Sequence, residues 1–268
     1  MDLPAHRKEG SLTKLDVRDR IAYLTLDRPD ALNGIDEGML EALPRALAAV
    51  RDDPSVKALV ITGAGDAFCV GLDIGLLGRA FSDTDYFVDV VQRLKAILLD
   101  LEALPVPTIA AVNGLARAGG FELMLACDMA VVADEAKIGD THLSFGVVPG
   151  GGATVRAPQR LGKQRARELI FSGRWLSGAQ AASMGLALRS VPRASLSEAV
   201  EAVVEPLRGW SRECLAATKA ALNAAEAAPS HLAALDAELE AFERYLREVP
   251  TASEGYRAYV EERKPVWD

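Results

Sequence analysis

The chain has 268 residues, half of them hydrophobic and a quarter charged, with a formal net charge of −8. This composition excludes a largely disordered protein, and the negative charge argues against a broad surface for nucleic acid or an anionic membrane. The length favours one large folded domain with a peripheral appendage.

The cysteine pattern and the N-terminus bear on metal binding and location. Cys69, Cys127 and Cys214 show neither a metal-binding spacing nor a disulfide framework. The N-terminal segment MDLPAHRKEG has no apolar stretch of the kind found in secretion signals, and no apolar run is long enough to span a bilayer. We therefore expect no metal site, no membrane contact and a cytoplasmic location.

In the first part of the chain, strands and helices are predicted to alternate. Residues 12–27 predict two strands around a polar turn, and residues 36–52 predict a helix that Pro44 should kink. The segments VKALVITGAG, PTIAAVNG and MAVVAD predict short, wholly apolar strands, the last of them after the helix GGFELMLACD. Such strands indicate an α/β protein with a parallel sheet covered by helices.

The rest of the chain is predicted to be mostly helical. Residues 76–94 predict a mobile connection followed by a helix. From about Gln159 the pattern becomes helical, with an alanine-rich run over 195–228 and an acidic amphipathic run over 230–248. We place a core domain at residues 1–200 and a C-terminal helical region at residues 201–268.

Two segments share one design, a strand that runs through a glycine turn into a helix: ITGAGDAFCVGLDIGLL and AVNGLARAGGFELMLACD. The first N–H groups of a helix are unpaired, and two that converge on one oxygen form an oxyanion hole. Neither segment contains GxGxxG, and the chain has no Walker A or GxSxG motif. Dinucleotide binding, nucleotide hydrolysis and serine-nucleophile hydrolysis therefore lack support.

Glu122 lies three residues after Gly119, on the same face of the second predicted helix. A glutamate in the first turn often only interacts favourably with the helix dipole. The apolar neighbours of Glu122 predict that this helix is buried, and a buried carboxylate is costly unless it is paired or functional.

Four segments together closely resemble the crotonase superfamily of enoyl-CoA hydratases and isomerases: LDRPDALNGID, ITGAGDAFCVGLDI, AVNGLARAGGFELMLACDMAVVAD and FGVVPGGGATVRAPQRLG. The resemblance implies a crotonase-like α/β fold of repeated ββα units with a C-terminal helical region that packs on a neighbouring subunit. It implies homotrimers or homohexamers, and an acyl-CoA thioester as substrate, with no cofactor beyond that CoA. The family hosts several reactions, so the likeness indicates the reaction less sharply than the fold.

The same resemblance implies roles for particular residues. The N–H groups of Leu72 and Gly119 would form the oxyanion hole, Glu122 would be the first acid/base, and His142 would take the place of a second glutamate. Arg117 and Ala118 stand where the usual motif has a leucine and a glycine. The implied CoA-binding residues are Arg28, Ala31, Ala67, Gly71, Asp73, Ile74 and Lys264, with Arg263 beside the last of them.

His142 is the residue at which this chain departs from the two-glutamate pattern. A loop histidine is more often structural than catalytic, but an imidazole can both accept and donate a proton near neutral pH. If the segment is extended, Asp140 points away from His142. Arg117 is either a surface or ion-paired residue or a source of charge for the site.

Several reactions are compatible with these residues. Hydration of a 2-enoyl-CoA, a lyase reaction, is the first hypothesis. Hydrolysis or ring opening of a keto-acyl-CoA, isomerisation of an enoyl-CoA, and a non-catalytic acyl-CoA-binding role are the alternatives.

Overall fold

The computed structural model describes residues 12–267 of the chain. Its strands are β1 (Thr13–Arg18), β2 (Ile21–Leu26), β3 (Ala58–Gly63), β4 (Ala67–Cys69), β5 (Thr108–Val112), β6 (Leu115–Arg117), β7 (Met129–Ala133), β8 (Lys137–Gly139), β9 (Leu176–Ser177) and β10 (Arg189–Val191). Its α-helices are α1 (Glu37–Asp52), α2 (Ile74–Ala80), α3 (Thr84–Glu102), α4 (Gly119–Ala126), α5 (Ala153–Leu161), α6 (Lys163–Ser172), α7 (Gly178–Ser183), α8 (Leu196–Arg208), α9 (Arg212–Ala227), α10 (His231–Glu248) and α11 (Glu254–Val260). Short 3-10 helices cover Pro29–Ala31, His142–Phe145 and Arg193–Ser195.

Six strands form the main sheet, in the order β1-β2-β3-β5-β7-β10. β1 pairs antiparallel with β2, and the other five strands run parallel. Every residue of β5 is buried because helices cover both faces of the sheet. α1 and α3 pack on one face, and α8 packs on the other. The parallel, helix-covered sheet predicted from the apolar strands is confirmed.

A second, smaller sheet has the order β4-β6-β8-β9 and positions the loops that matter for function. β4, β6 and β8 are parallel, so their carboxyl ends lie at the same edge. β4 leads to Leu72, β6 leads into α4 with Gly119 and Glu122, and β8 leads to His142. Two segments show the expected ββα pattern. The main-sheet strand β3 continues through the small-sheet strand β4 to α2, and β5 continues through β6 to α4.

The structure differs from the sequence prediction in two places. Over residues 76–94 the predicted helix is present in α3, but the predicted connection before it is reduced to residues 81–83 because α2 extends to Ala80. After Gln159 the chain is not purely helical, since β9 and β10 interrupt it and β10 pairs with β7 at the edge of the main sheet. α1 matches its predicted span and continues through Pro44.

The C-terminal helices meet the core through cationic and amide side chains. Lys57 donates to the carbonyl oxygens of Arg208 and Trp210, between α8 and α9. From α9, Lys219 donates to Val106 O and pairs with Asp128, and Asn223 donates to Glu102 O. Residue 200 lies inside α8, which covers the main sheet, and the division into a core and an oligomer-packing region stays a prediction.

α10 contacts the rest of the subunit mainly through α9 and has no buried residue. Its apolar side chains recur every three or four residues and are between 49% and 68% exposed, at Leu232, Leu235, Leu239, Phe242 and Leu246. These five residues form the α10 stripe. Between residues 12 and 267, no helix combines the length and apolar character needed to cross a membrane.

Candidate active site

Two backbone N–H groups come together where α4 begins. A methyl group added at Gly119 would lie 3.1 Å from Gly71 Cα and 3.7 Å from Leu72 N, so the two turns are in contact. A methyl group at Gly71, where φ is +82°, would lie 2.7 Å from Gly119 N. Across residues 12–267, neither Leu72 N–H nor Gly119 N–H donates to a protein acceptor. The pair can therefore donate to one ligand oxygen, as an oxyanion hole requires.

Ala118 immediately precedes this pair in a backbone conformation that normally requires glycine. Its φ is 46° and its ψ is −119°. For an L-residue with a Cβ atom this conformation is strained, and such strain concentrates at functional sites. Ala118, which stands where the usual motif has a glycine, therefore keeps a strained backbone conformation that the turn into α4 requires.

Glu122 lies one turn into α4 and is almost completely buried, with 1% of its surface exposed. Its Oε1 accepts a hydrogen bond of 3.1 Å from Ala153 N–H, at the start of α5. A methyl group added at Gly151 would collide with Oε2, so the glycine turn directly adjoins the carboxylate. Burial raises the pKa of Glu122, while His142 and the N–H groups of Ala153 and Gly151 act in the opposite direction.

His142 faces Glu122 across a short gap. Its Nε2 lies 3.8 Å from Glu122 Oε2, and its Nδ1 lies 2.9 Å from Asp140 Oδ1. Burial lowers the pKa of His142, but the hydrogen bond to Asp140 and the charges of Glu122 and Asp140 outweigh burial, so its pKa is raised. The segment is not extended, because a 3-10 helix begins at His142, and Asp140 therefore does not point away from the imidazole.

Arg117 lies at the end of β6, next to the strained Ala118. Its Nε donates to Val70 O at 3.3 Å, and its guanidinium stands 5.3 Å from the ring centroid of Phe145. No carboxylate pairs with it within residues 12–267. Arg117 therefore connects Val70, just before Leu72, to the short helix that carries His142. It does not form the ion pair that was one of the possibilities considered from the sequence.

Most of the predicted CoA-binding residues form one surface. Arg28 donates to Gly34 O and pairs with Asp36 at 3.1 Å and with Asp73 at 3.2 Å. Asp73 also caps α2, because its carboxylate accepts a hydrogen bond from Gly75 N–H. Ile74, the first residue of this helix, is 71% exposed. A methyl group at Gly34 would lie 3.2 Å from Ala31 O and 3.4 Å from Asp73 Cα. Arg28 is thus held by two carboxylates, and its contact with a CoA phosphate stays a prediction.

Of the remaining two predicted CoA-binding residues, Ala67 is joined to the Arg28 turn through Asn33, and Lys264 lies apart. Ala67 is buried in β4, where its carbonyl accepts from Asn33 and Asn113. Lys264 is exposed in the C-terminal tail. Arg263, beside it, donates one hydrogen bond to Glu261 and two to Glu254, and the two to Glu254 hold the pKa of that carboxyl down to about 2. Nothing within residues 12–267 joins Lys264 to the other residues of the predicted site.

A cavity of about 1750 Å³ lies between the C-terminal helices and the core. Trp210, Lys219 and Trp267 line it, together with the glycine turn 150–152. Leu72, Gly119, Glu122 and His142 do not line it, so the predicted chemistry is located outside this cavity.

Sequence reasoning missed two contributions to the site. Asp140 contacts His142, and only the spacing of two residues hinted at the pair. From α3, Leu94 lies within 3.3 Å of a methyl group added at Gly119, and Val91 would be 2.6 Å from one added at Gly150. No sequence signal pairs α3 with these turns, because the contacts are purely apolar and long-range.

Comparison with known proteins adds independent information. Residues 16–268 match the family described as enoyl-CoA hydratase/isomerase. The chain is 33% identical to the enoyl-CoA isomerase/hydratase of Mycosarcoma maydis, covering 92% of each chain. It is 36% identical to the mitochondrial enoyl-CoA hydratase domain-containing protein 2 of Bos taurus, covering 91% of this chain and 83% of the relative. The crystal structure of an enoyl-CoA hydratase from Bacillus anthracis superposes with a TM-score of 0.89 and 30% identity, covering 96% of this chain and 98% of that one.

Proposed function

The chain belongs to the enoyl-CoA hydratase/isomerase family, and we propose that it adds water across the double bond of a 2-enoyl-CoA thioester. The observation that carries the proposal is the position of Glu122 Oε2 and His142 Nε2, which face each other at 3.8 Å beside the unpaired N–H groups of Leu72 and Gly119. The site thus offers a base, an acid and an oxyanion hole within one small region.

The oxyanion hole would stabilise the enolate. As the oxygen of a water molecule bonds to the β-carbon, the electrons of the double bond move onto the thioester oxygen. The N–H groups of Leu72 and Gly119 donate to that oxygen, which favours the transition state more than the ground state.

Glu122 and His142 would handle the protons. A water oxygen can lie about 2.8 Å from both Oε2 and Nε2, since those two atoms are 3.8 Å apart. Glu122 takes one proton of this water as the new C–O bond forms, and the His142 imidazolium gives its Nε2 proton to the α-carbon. Transfer of the proton from Glu122 to His142 then restores both groups.

The CoA portion of the substrate would bind along Arg28, Ala31, Gly71, Asp73 and Ile74. The α2 N-terminus and the adjoining turn support this placement, as does the high exposure of Ile74. Ala67 would contribute through the strand that shapes this turn, and Lys264 through the basic C-terminal tail. The exposed α10 stripe supports association with further subunits, and we propose a homotrimer or a homohexamer. A cytoplasmic location also stays a proposal, because the similar protein of Bos taurus is named mitochondrial.

The proposal is tested by incubating the purified protein with enoyl-, β-hydroxy- and cyclic keto-acyl-CoAs, followed by mass spectrometry and a free-thiol assay. We expect a 2-enoyl-CoA to gain one water with its thioester intact. Release of free thiol would instead indicate thioester hydrolysis, and gain of water only by cyclic substrates would indicate ring opening. An altered spectrum at unchanged mass would indicate isomerisation, and binding with no turnover would indicate a non-catalytic protein.

A further inference from the structure

We propose that Asp140 is a positioning residue that holds the His142 imidazole with Nδ1 as donor and thereby directs Nε2 toward Glu122 and the substrate. The inference rests on the proposed hydration for the identity of the step that His142 performs. Asp140 itself touches neither the reacting atoms nor Glu122 in this account.

The local geometry fixes the imidazole at two points. Asp140 Oδ1 accepts from His142 Nδ1–H at 2.9 Å and from the His142 backbone N–H at 3.1 Å. The 3-10 helix that brings the ring back onto Asp140 is closed by hydrogen bonds from Ser144 Oγ–H to Thr141 O and from Val147 N–H to His142 O. Because Nδ1 is engaged, Nε2 is the nitrogen left to exchange a proton.

The burial of Asp140 argues against a purely structural role. Its side chain is fully buried, and its Oδ2 has no hydrogen-bond partner within the described residues. A buried carboxylate with an unpaired oxygen is costly, and a neutral acceptor would orient a histidine at lower cost. Across residues 12–267 no lysine or arginine pairs with Asp140, so His142 is its partner. The cost is offset when the imidazole carries a positive charge.

Two charged groups face His142 from the elements around it, Asp140 at the end of β8 and Glu122 from α4. Both favour the imidazolium, and together they outweigh burial, so the pKa of His142 is raised above that of an ordinary histidine. The imidazolium is the form that donates a proton to the α-carbon during hydration. Asp140 therefore keeps the acid protonated to a higher pH than an imidazole without this partner.

The test compares Asp140→Asn with wild type by two measurements. The first is the pKa of His142, from NMR titration of ¹³Cε1-labelled histidine, in which a His142→Gln spectrum identifies the signal among the three histidines. The second is the pH profile of kcat and KM for hydration. We expect both the His142 pKa and the alkaline limb of kcat to fall by about one unit or more. On the alkaline side of both limbs kcat should fall by about tenfold or more while KM changes less than about threefold, and kcat should recover as pH falls.

Asp128→Asn is the matched control. Asp128 accepts from Thr108 and pairs with Lys219 at 2.8 Å, away from the site, so its loss should lower stability and leave the pH profile unchanged. Asp140→Ala serves as a second variant if Asp140→Asn does not fold. A wild-type His142 pKa in either Asp140 variant would overturn the inference, as would an equal loss of kcat at every pH. The NMR titration needs no turnover, so it decides the role of Asp140 even if the reaction proves not to be hydration.

Discussion

At the scale of single residues, the site contains two acidic groups and one imidazole in a row, from Asp140 through His142 to Glu122. In the proposed mechanism Glu122 acts as a base only when ionised, and burial raises its pKa, so activity should fall as pH drops through that raised pKa. In the same mechanism His142 acts as an acid only when protonated, and Asp140 and Glu122 raise its pKa despite burial. Activity should therefore fall again as pH rises through that raised pKa.

This predicts a bell-shaped profile of kcat against pH for hydration, with the acid limb assigned to Glu122 and the alkaline limb to His142. The profile is checked by initial-rate measurements from pH 4 to 10 in buffers of constant ionic strength. His142→Gln should lower kcat and abolish the alkaline limb. An alkaline limb that persists in His142→Gln would show that another group supplies the proton.

Ala118 gives a prediction about stability. Its φ of 46° strains the backbone at the entrance to α4, and glycine adopts that conformation without strain. Ala118→Gly should raise the free energy of unfolding by about 1 kcal/mol. The control is Ala116→Gly in the regular strand β6, which should lower the free energy of unfolding because it removes a buried methyl group. Denaturant unfolding measures both, and a loss of stability in Ala118→Gly would contradict the strain.

At the scale of secondary-structure elements, the glycine turn before α5 fixes the position of the Glu122 carboxylate. Arg156 holds this turn by donating to Gly151 O while it pairs with Glu102 at 2.6 Å. The backbone N–H of Ala153, directly after this turn, donates a hydrogen bond to the Glu122 carboxylate. The position of Glu122 thus depends on two helices, α4 and α5, rather than on its own helix alone.

Gly151→Ala should therefore impair catalysis more than folding. The added methyl group would meet the flexible end of Glu122, which can move aside, so the carboxylate leaves its position with little cost to the fold. We expect kcat to fall by about tenfold or more, with a small change in melting temperature. Gly78→Ala in α2, where nothing lies within 4 Å of the added methyl group, is the control and should leave kcat unchanged. Wild-type kcat in Gly151→Ala would show that the turn does not constrain Glu122.

The sequence predicts secondary-structure elements better than it predicts which side chains contact each other. The wholly apolar segments around β3, β5 and β7 predict buried parallel strands because burial on both faces demands that composition. β9 and β10 have two and three residues, too few for a period to emerge. The contact between Asp140 and His142 depends on a single 3-10 turn, which the residue spacing alone does not specify.

At the scale of the whole molecule, the C-terminal helices divide into an inner and an outer part. Lys219 and Asn223 on α9 donate hydrogen bonds to carbonyl oxygens of the core, whereas the α10 stripe is exposed to solvent. An exposed row of large apolar side chains on one helix marks an interaction surface. The subunit therefore has a surface suited to the proposed homo-oligomer.

Leu239→Lys, in the middle of the α10 stripe, should dissociate that oligomer, because a charge at a buried apolar contact is not compensated. Light scattering coupled to size exclusion should give a trimer or hexamer for wild type and a smaller species for the variant. Glu238→Lys, on the same helix but outside the stripe, is the control and should keep the wild-type mass. A wild-type protein that is monomeric at micromolar concentration would contradict the proposal.

The central claim, that Glu122 activates a water molecule for addition to an enoyl thioester, is tested most directly by hydration in H₂¹⁸O. Wild-type protein should convert a 2-enoyl-CoA to a β-hydroxyacyl-CoA with ¹⁸O on the β-carbon and the thioester intact. Glu122→Gln should bind CoA with near-normal affinity and lose about 10²-fold or more of turnover, and Glu41→Gln on the surface of α1 should match wild type. Appearance of ¹⁸O in a free carboxylate, or a loss below tenfold in Glu122→Gln, would contradict the account.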